Sequence, residues 1–341
     1  MVSNYQISQI VLIIIHYKLD MSDVVIRKYQ NNDAIGINEM FTRFLPYVRD
    51  EKFWVWLNRI VGGESIAFVA EFEGKIIGHY AVVPRDLYLN GSLIRAALGI
   101  HAFVDPDYRR VVTIFRITQK VYEYAAKLGI QVIYGFPNVN FRNIQIKIEG
   151  WKQISLFKSY EFDLKDLKDS ITSSEIEYDL VDGIDFHSLY MISQIIGHKS
   201  IVCLNCDVRY WLERYILHPQ KIYEVYCLKK NSDVIGYFVT KEYVNDSRKL
   251  FHLIDYKLIS DDNYQYLIQA YIDLGKIKQV EALSVWQGDA LFKRIILEKG
   301  FVQNGFETFF GIKVLDKTLC NIDDILNINN WRLVMGDSDA F

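Results

Sequence analysis

The stretch "FVDPDYRRVVTIFRITQ", Phe103 to Gln119, decides how this chain is read. It has the pattern of a strand end, a tight turn on Pro106, two arginines and the first turns of a helix. That order is how a fold receives an anion, because amides at a helix start and nearby guanidinium groups point at one spot. Yet the stretch contains no glycine, the residue that lets backbone approach phosphates and take positive φ. Either the loop holds a phosphorylated molecule by other means, or it is a plain loop with solvated arginines.

Upstream, "VVIRKY" (Val24 to Tyr29) reads as a strand, followed by helical spacing from Ala34 to Leu45 and by "EKFWVWLNRIV", a second helix. Two strands, "SIAFVAEF" and "KIIGHYAVVPRDLYL", meet at Glu73-Gly74-Lys75, and Asn90-Gly91 marks another hairpin before a strand from Leu93 to Val104. Downstream, the helix runs to Lys127 and is closed by Leu128-Gly129. The strand "QVIYGF", a short helix to Glu149 and a last strand after Gly150-Trp151 complete the unit.

The plan then recurs. Trp56-Leu57 returns as Trp211-Leu212, Ile77-Gly78 as Ile235-Gly236, Leu128-Gly129 as Leu274-Gly275 and Gly150-Trp151 as Gly300-Phe301. The order is kept, at offsets of about 150 residues, a period of whole domains rather than solenoid repeats. The expected division is an extension over residues 1–20, a first domain over 21–165, a second over 175–316 and a tail over 317–341. The joint is the charge-rich "DLKDLKDSITSSEIE". Met21 is the expected natural start, because the apolar "IVLIIIHY" before it is shorter than the ~20 residues of a membrane span and lacks signal-peptide flanks.

At 341 residues, half of them apolar, the chain can bury two cores. A net charge of −3 with mixed signs argues against a nucleic-acid binder. Cys203 and Cys206 have half of a zinc spacing, but no second pair follows, so free thiols in a reducing cytoplasm are expected and no metal.

Taken in order, the Trp54/Trp56 helix, "KIIGH", "AFVDPDYRR", "YGFPN" and "GW" resemble the GNAT N-acetyltransferases, more closely the tandem GNAT type associated with polysaccharide biosynthesis. The resemblance implies an α/β fold of two tandem GNAT-like domains, each a mixed, mostly antiparallel twisted sheet flanked by helices. It implies acetyl-CoA as co-substrate, wedged where the fourth and fifth strands splay apart. Phe103 and Val104 would offer backbone to its pantetheine arm, and Arg109, Arg110, Val111, Val112, Thr113, Ile114 and Phe115 would form the pyrophosphate loop. Thr113 stands where the family's first glycine belongs. Asn138 would bond the pantetheine or the acceptor, or else cap a helix.

For chemistry, His101 is a candidate base or a half-buried core histidine, and Asp105 a candidate base or a turn former. The family's usual proton-donating tyrosine falls at Ile146, which moves that role to Tyr134 or water, or leaves the thiolate to depart unassisted. The Trp54/Trp56 pair reads as core. In the second half, Ser260, Asp261 and Asp262 stand at the matching helix start and would repel a pyrophosphate, so that half is expected to wall the acceptor pocket. The expected activity is acetyl transfer to a small-molecule amine, such as an amino sugar or a nucleotide-linked sugar. The protein would be a cytoplasmic monomer or homodimer, without membrane insertion. The alternatives are a non-catalytic module of the same fold and a peptidyl transferase using aminoacyl-tRNA.

Overall fold

The computed structural model describes residues 23–44, 50–57, 65–109, 111–166, 177–183, 185–197, 201–205, 207–220, 222–245 and 248–338. Arg110, residues 1–20, Met21 and Cys206 lie outside the described residues. The first half runs β1 (Val25–Lys28), α1 (Asp33–Thr42), α2 (Glu51–Leu57), β2 (Ile66–Phe72), β3 (Lys75–Pro84), β4 (Leu87–Leu89), β5 (Ser92–Ile94), β6 (Ala96–Val104), α3 (Val111–Lys127), β7 (Val132–Gly135), α4 (Val139–Lys147) and β8 (Lys152–Asp163). The second half runs β9 (Asp179–Asp182), α5 (Phe186–Gly197), β10 (Val202–Leu204), α6 (Val208–Trp211), β11 (Glu224–Lys230), β12 (Asp233–Asn245), β13 (Arg248–Leu258), α7 (Tyr264–Ile277), β14 (Ala282–Trp286), α8 (Ala290–Glu298) and β15 (Val302–Val314). After these come α9 (Ile322–Leu326) and β16 (Trp331–Arg332).

The turn chemistry is what the sequence demanded. Glu73 and Gly74 both take positive φ (49° and 77°), as do Asn90 and Gly91 (50° and 78°), the conformation that a two-residue hairpin needs. Gly129 closes α3 at φ 81°. The second half diverges at the corresponding point. Gly275 lies inside α7, where an added Cβ would fall 2.5 Å from Leu283 Cδ2, so this glycine serves close helix–sheet packing and not a cap.

Among the described residues one mixed sheet of 12 strands runs through both halves, in the order β1-β2-β3-β6-β7-β15-β8-β14-β13-β12-β11-β9. The two last strands are exchanged. β15 of the second half pairs antiparallel with β7 of the first, and β8 of the first pairs antiparallel with β14 of the second. β8 and β15 also pair with each other. Each half's sheet is therefore completed by a strand of the other.

Two expected long strands are broken. Pro84 and Arg85 end β3, and β4 with β5 join a second, four-stranded sheet in the order β16-β10-β4-β5. The expected tail is part of this structure. Arg85 Nη2 donates to Asp337 Oδ1 at 2.7 Å with both side chains buried, Tyr210 Oη donates to the Gly336 carbonyl at 3.1 Å, and Arg85 lies 4.1 Å over the Tyr210 ring.

Cys203, Cys227 and Cys320 are free thiols. Among the described residues no group of His, Cys, Asp and Glu could hold a metal ion, and no helix is long and apolar enough to cross a membrane.

Breaking a buried ion pair leaves one charge without its partner, at about 3–5 kcal/mol. Asp337→Ala should lower unfolding free energy by that order in urea denaturation. Adding Arg85→Met to Asp337→Ala should recover part of the loss.

Candidate active site in the open sheet

β6 and β7 are parallel neighbours only from Ala96↔Val132 to Gly99↔Gly135. Beyond that point β6 runs on to Val104, while the other chain turns into Phe136 and Pro137, which has no N–H for a ladder. On its other side β6 carries a bulge. His79 pairs with Phe103 and Ala81 with Ile100, so His101 and Ala102 together face Tyr80, and His101 takes φ 49°. The sheet therefore opens into a cleft, lined by Tyr80, Gly99, His101, Ala102, Phe136 and Asn138, with Phe141 and Gln145 of α4 behind.

Ladder alternation identifies the free backbone. Asp105 N–H donates to the Ile77 carbonyl at 2.8 Å. The pair one step back, Gly78↔Val104, is then the non-bonded kind, and Val104 turns its own N–H and C=O away from β3 toward the cleft. Phe103 N–H is directed at His79, so of the two expected residues Val104 is the one that offers an amide. Phe103 contributes its ring instead, 5.0 Å from Phe41 and beneath the Arg109 guanidinium at 5.9 Å. Arg109 Nη2 also donates to the Val104 carbonyl at 3.4 Å, which places a cation beside this stretch of backbone.

α3 begins at Val111 without a glycine. Val112 is half exposed, Ile114 is buried in the α3-side core and Phe115 is partly buried. Thr113 is fully buried, and among the described residues its Oγ1 has no hydrogen-bond partner. An orphaned hydroxyl costs free energy in a dry setting, and this one stands in the first turn, where helix N–H groups are also unpaired.

Asn138 caps α4, its Oδ1 accepting from Asn140 N–H at 3.1 Å and Phe141 N–H at 3.0 Å. The cap reading accounts for this side chain, which still borders the cleft. His101 lines the cleft with its ring edge-on to Phe41 (5.9 Å) and Trp54 (5.4 Å). Its carbonyl sits 3.0 Å from His79 Nδ1. A carbonyl can only accept, so the His79 proton is on Nδ1, and burial pushes the His79 pKa down to about 4.

Two expected catalytic groups are placed elsewhere. Asp105 is fully buried beneath Arg43 Nη1 (2.8 Å) and Lys75 Nζ (3.0 Å) and accepts Asp107 N–H. Burial alone would raise its pKa, but the Lys75 bond and the neighbouring cations outweigh it and hold the carboxyl below its ordinary value. A carboxylate tied this way anchors a turn and makes a poor base. Tyr134 is fully buried between Phe310 and Trp331, one residue short of the cleft, because alternation along β7 turns it into the core between the halves. Trp54 is core, as expected, and Trp56 donates Nε1 to the Glu213 carbonyl at 2.8 Å, tying α2 to the second half.

Tyr80, Gly99 and Gly135 were not singled out from the sequence. "IGHY" and "LGIH" contain two of them, but which residue faces the opening depends on a bulge with no local signal.

The second half opens in the same way. β13 and β14 pair only from Leu250↔Ala282 to His252↔Ser284, with a bulge at Ile254. This opening is filled by the chain itself. Gly336 comes so near that an added Cβ would lie 3.2 Å from the Ile254 carbonyl and 2.2 Å from Tyr215 Oη. At the start of α7, Arg332 pairs with Asp261 at 3.2 Å.

His79, His218 and His252 are all pushed down to about 4, chiefly by burial. Unfolded, each titrates near ~6.5, so between those values the unfolded chain binds more protons and stability falls as pH falls. Denaturation from pH 6.5 to 4 should show this decline, and His79→Phe should flatten it by up to ~1.4 kcal/mol per pH unit.

Residues 25–147 match the acetyltransferase (GNAT) domain family. No curated protein matches the chain by sequence. Among solved structures, the GCN5-related N-acetyltransferase from Anabaena variabilis ATCC 29413 is similar, with a TM-score of 0.65 at 14% identity over 86% of this chain and 73% of that one. The GCN5-related N-acetyltransferase from Kribbella flavida gives 0.61 at 11% over 87% and 73%. The Saccharomyces cerevisiae N-myristoyltransferase with bound myristoyl-CoA gives 0.61 at 12% over 85% and 82%. Residues 25–147 thus match a GNAT acetyltransferase domain, and the chain as a whole shares with these structures an α/β fold of two tandem GNAT-like halves.

Proposed function

We propose that the protein is an N-acetyltransferase that moves an acetyl group from acetyl-CoA to an amine, using the cleft of its first half. The observation that carries this reading is the opening between β6 and β7, with the Val104 amide turned into it. The residues fit such a molecule. Val104 offers a strand-like edge for an amide-bearing arm. Arg109, the α3 start from Val111 to Phe115 and the unpartnered Thr113 hydroxyl offer cation, amides and donor for phosphate. Arg110, next in the sequence, is the second cation we assign to the phosphates. Bound there, acetyl-CoA supplies an activated acetyl group.

An alkyl amine holds its proton until ~10, as lysine does, so a neighbouring group must take it. His101 is the cleft-lining side chain whose chemical class suits that task near neutrality. For the acceptor, an amino sugar or nucleotide-linked sugar is the class we favour, by family association. We assign residues 21–165 to acyl-CoA binding and 175–316 to walling the acceptor pocket. Because the second opening is filled by the segment around Gly336, one acetyl-CoA per chain is expected. We place the protein in the cytoplasm, as a monomer or homodimer.

Isothermal titration of acetyl-CoA should give micromolar binding at one site. Arg109→Ala should weaken it roughly tenfold, the worth of one charge-assisted contact. Neither heat nor a thermal shift at millimolar acetyl-CoA would leave the first half a non-catalytic module.

A further inference from the structure

We propose that Tyr80 is the proton donor to the leaving sulfur, acting at the apex of the open sheet; this rests on the acetyltransferase reading. Of the described side chains lining the cleft, Tyr80 is the one that carries a hydroxyl. It lies on β3 opposite the His101–Ala102 bulge, and its ring meets Tyr122 at 6.1 Å and Phe141 at 5.8 Å, both edge-on. The hydroxyl reaches the place where β6 and β7 part. A Cβ added to Gly99 would lie 2.6 Å from Tyr80 Oη, so the absence of a side chain at 99 is what admits it.

The direction of the cleft makes that place the reactive end. α3 follows the far end of β6, so the cations and helix amides that suit phosphates stand beyond Val104. A molecule anchored there and paired along β6 points its other end back toward Gly99. Ile146 on α4 brings no hydroxyl to the same side.

Behind Tyr80 the wall is rigid. Glu149, buried, accepts from Thr118 Oγ1 (2.6 Å) and Tyr122 Oη (2.6 Å), and Trp151 Nε1 donates to Tyr122 Oη at 2.9 Å. Lys313, on the exchanged strand β15, donates to the Glu149 carbonyl. This network holds the Tyr122 ring on which Tyr80 leans, and a fixed donor needs no reorganisation when charge develops.

The step balances as follows. The amine nitrogen bonds to the acetyl carbon, the carbon–sulfur bond breaks, and Tyr80 Oη gives its proton to the sulfur. The proton that the nitrogen sheds returns to Tyr80 through solvent, leaving amide and free thiol.

A hydroxyl that donates to sulfur also favours the thiolate of bound CoA, which can be read without any acceptor. CoA affinity would be measured by calorimetry from about pH 7 to pH 9.5, across an alkyl thiol's ~8.5. Acetyl-CoA, which has no titrating thiol, is the control. In the wild type the ratio of CoA to acetyl-CoA affinity should rise about tenfold with pH. In Tyr80→Phe, which keeps the ring, the ratio should stay flat across that range. Gly99→Ala, which keeps the hydroxyl but crowds it, should behave likewise. Thermal unfolding checks that both variants are folded. A ratio that rises equally in the wild type and Tyr80→Phe would make Tyr80 a packing residue and leave the acetyltransferase reading intact. No CoA or acetyl-CoA binding in the wild type would overturn that reading, and this one with it.

Discussion

The exchange of β8 and β15 is the pairing on which the rest of the molecule depends. β7 of the first half gains its neighbour from residues 311–314, and β14 of the second from residues 159–163. Two edges that would each be open to aggregation are thereby closed by partners in the same chain. The exchange also reaches the cleft. Because β15 lies beside β7, Lys313 comes within hydrogen-bonding reach of the Glu149 carbonyl, and Phe310 packs beneath Tyr134.

The halves share an architecture and differ in what fills it. Both have a parallel strand pair that parts after a few residues, and both have a bulge on the longer strand. In the first half the bulge faces a cleft beside cationic residues and a glycine-free helix start. In the second, Gly336 lies against the Ile254 carbonyl and Arg332 takes Asp261. A duplicated fold can thus keep one opening for a ligand and fill the other from within the chain. The buried Arg85–Asp337 pair then ties the filling segment to the first half.

Much of the fold was legible locally. The hairpins at Glu73-Gly74 and Asn90-Gly91 follow from residues that accept positive φ, and the α3 stop follows from Gly129. The site was legible in part. His101 and Asn138 fall on the cleft lining and Arg109 on the Val104 carbonyl, because strand–turn–helix order places them there. Phe103 and Val104 were named together, yet only ladder alternation says which amide is free. Asp105 reads as a base or a turn residue until Arg43 and Lys75, from distant elements, hold it as an anion. Tyr80 was hidden because its importance comes from Gly99, a neighbour across the sheet.

By itself the sequence determined most of the strand and helix order of the first half, the recurrence of its plan, and the turn, cap and cation residues around Phe103 to Gln119. Each of these is set by interactions within a few residues, where side-chain type and backbone preference suffice. Only the tertiary structure decided the strand exchange, the filling of the second opening, the burial of Tyr134 and the reach of Tyr80 to the apex. Those depend on which faces meet across the sheet. A one-residue bulge at His101 or a close approach at Gly99 changes that without any mark in the local pattern.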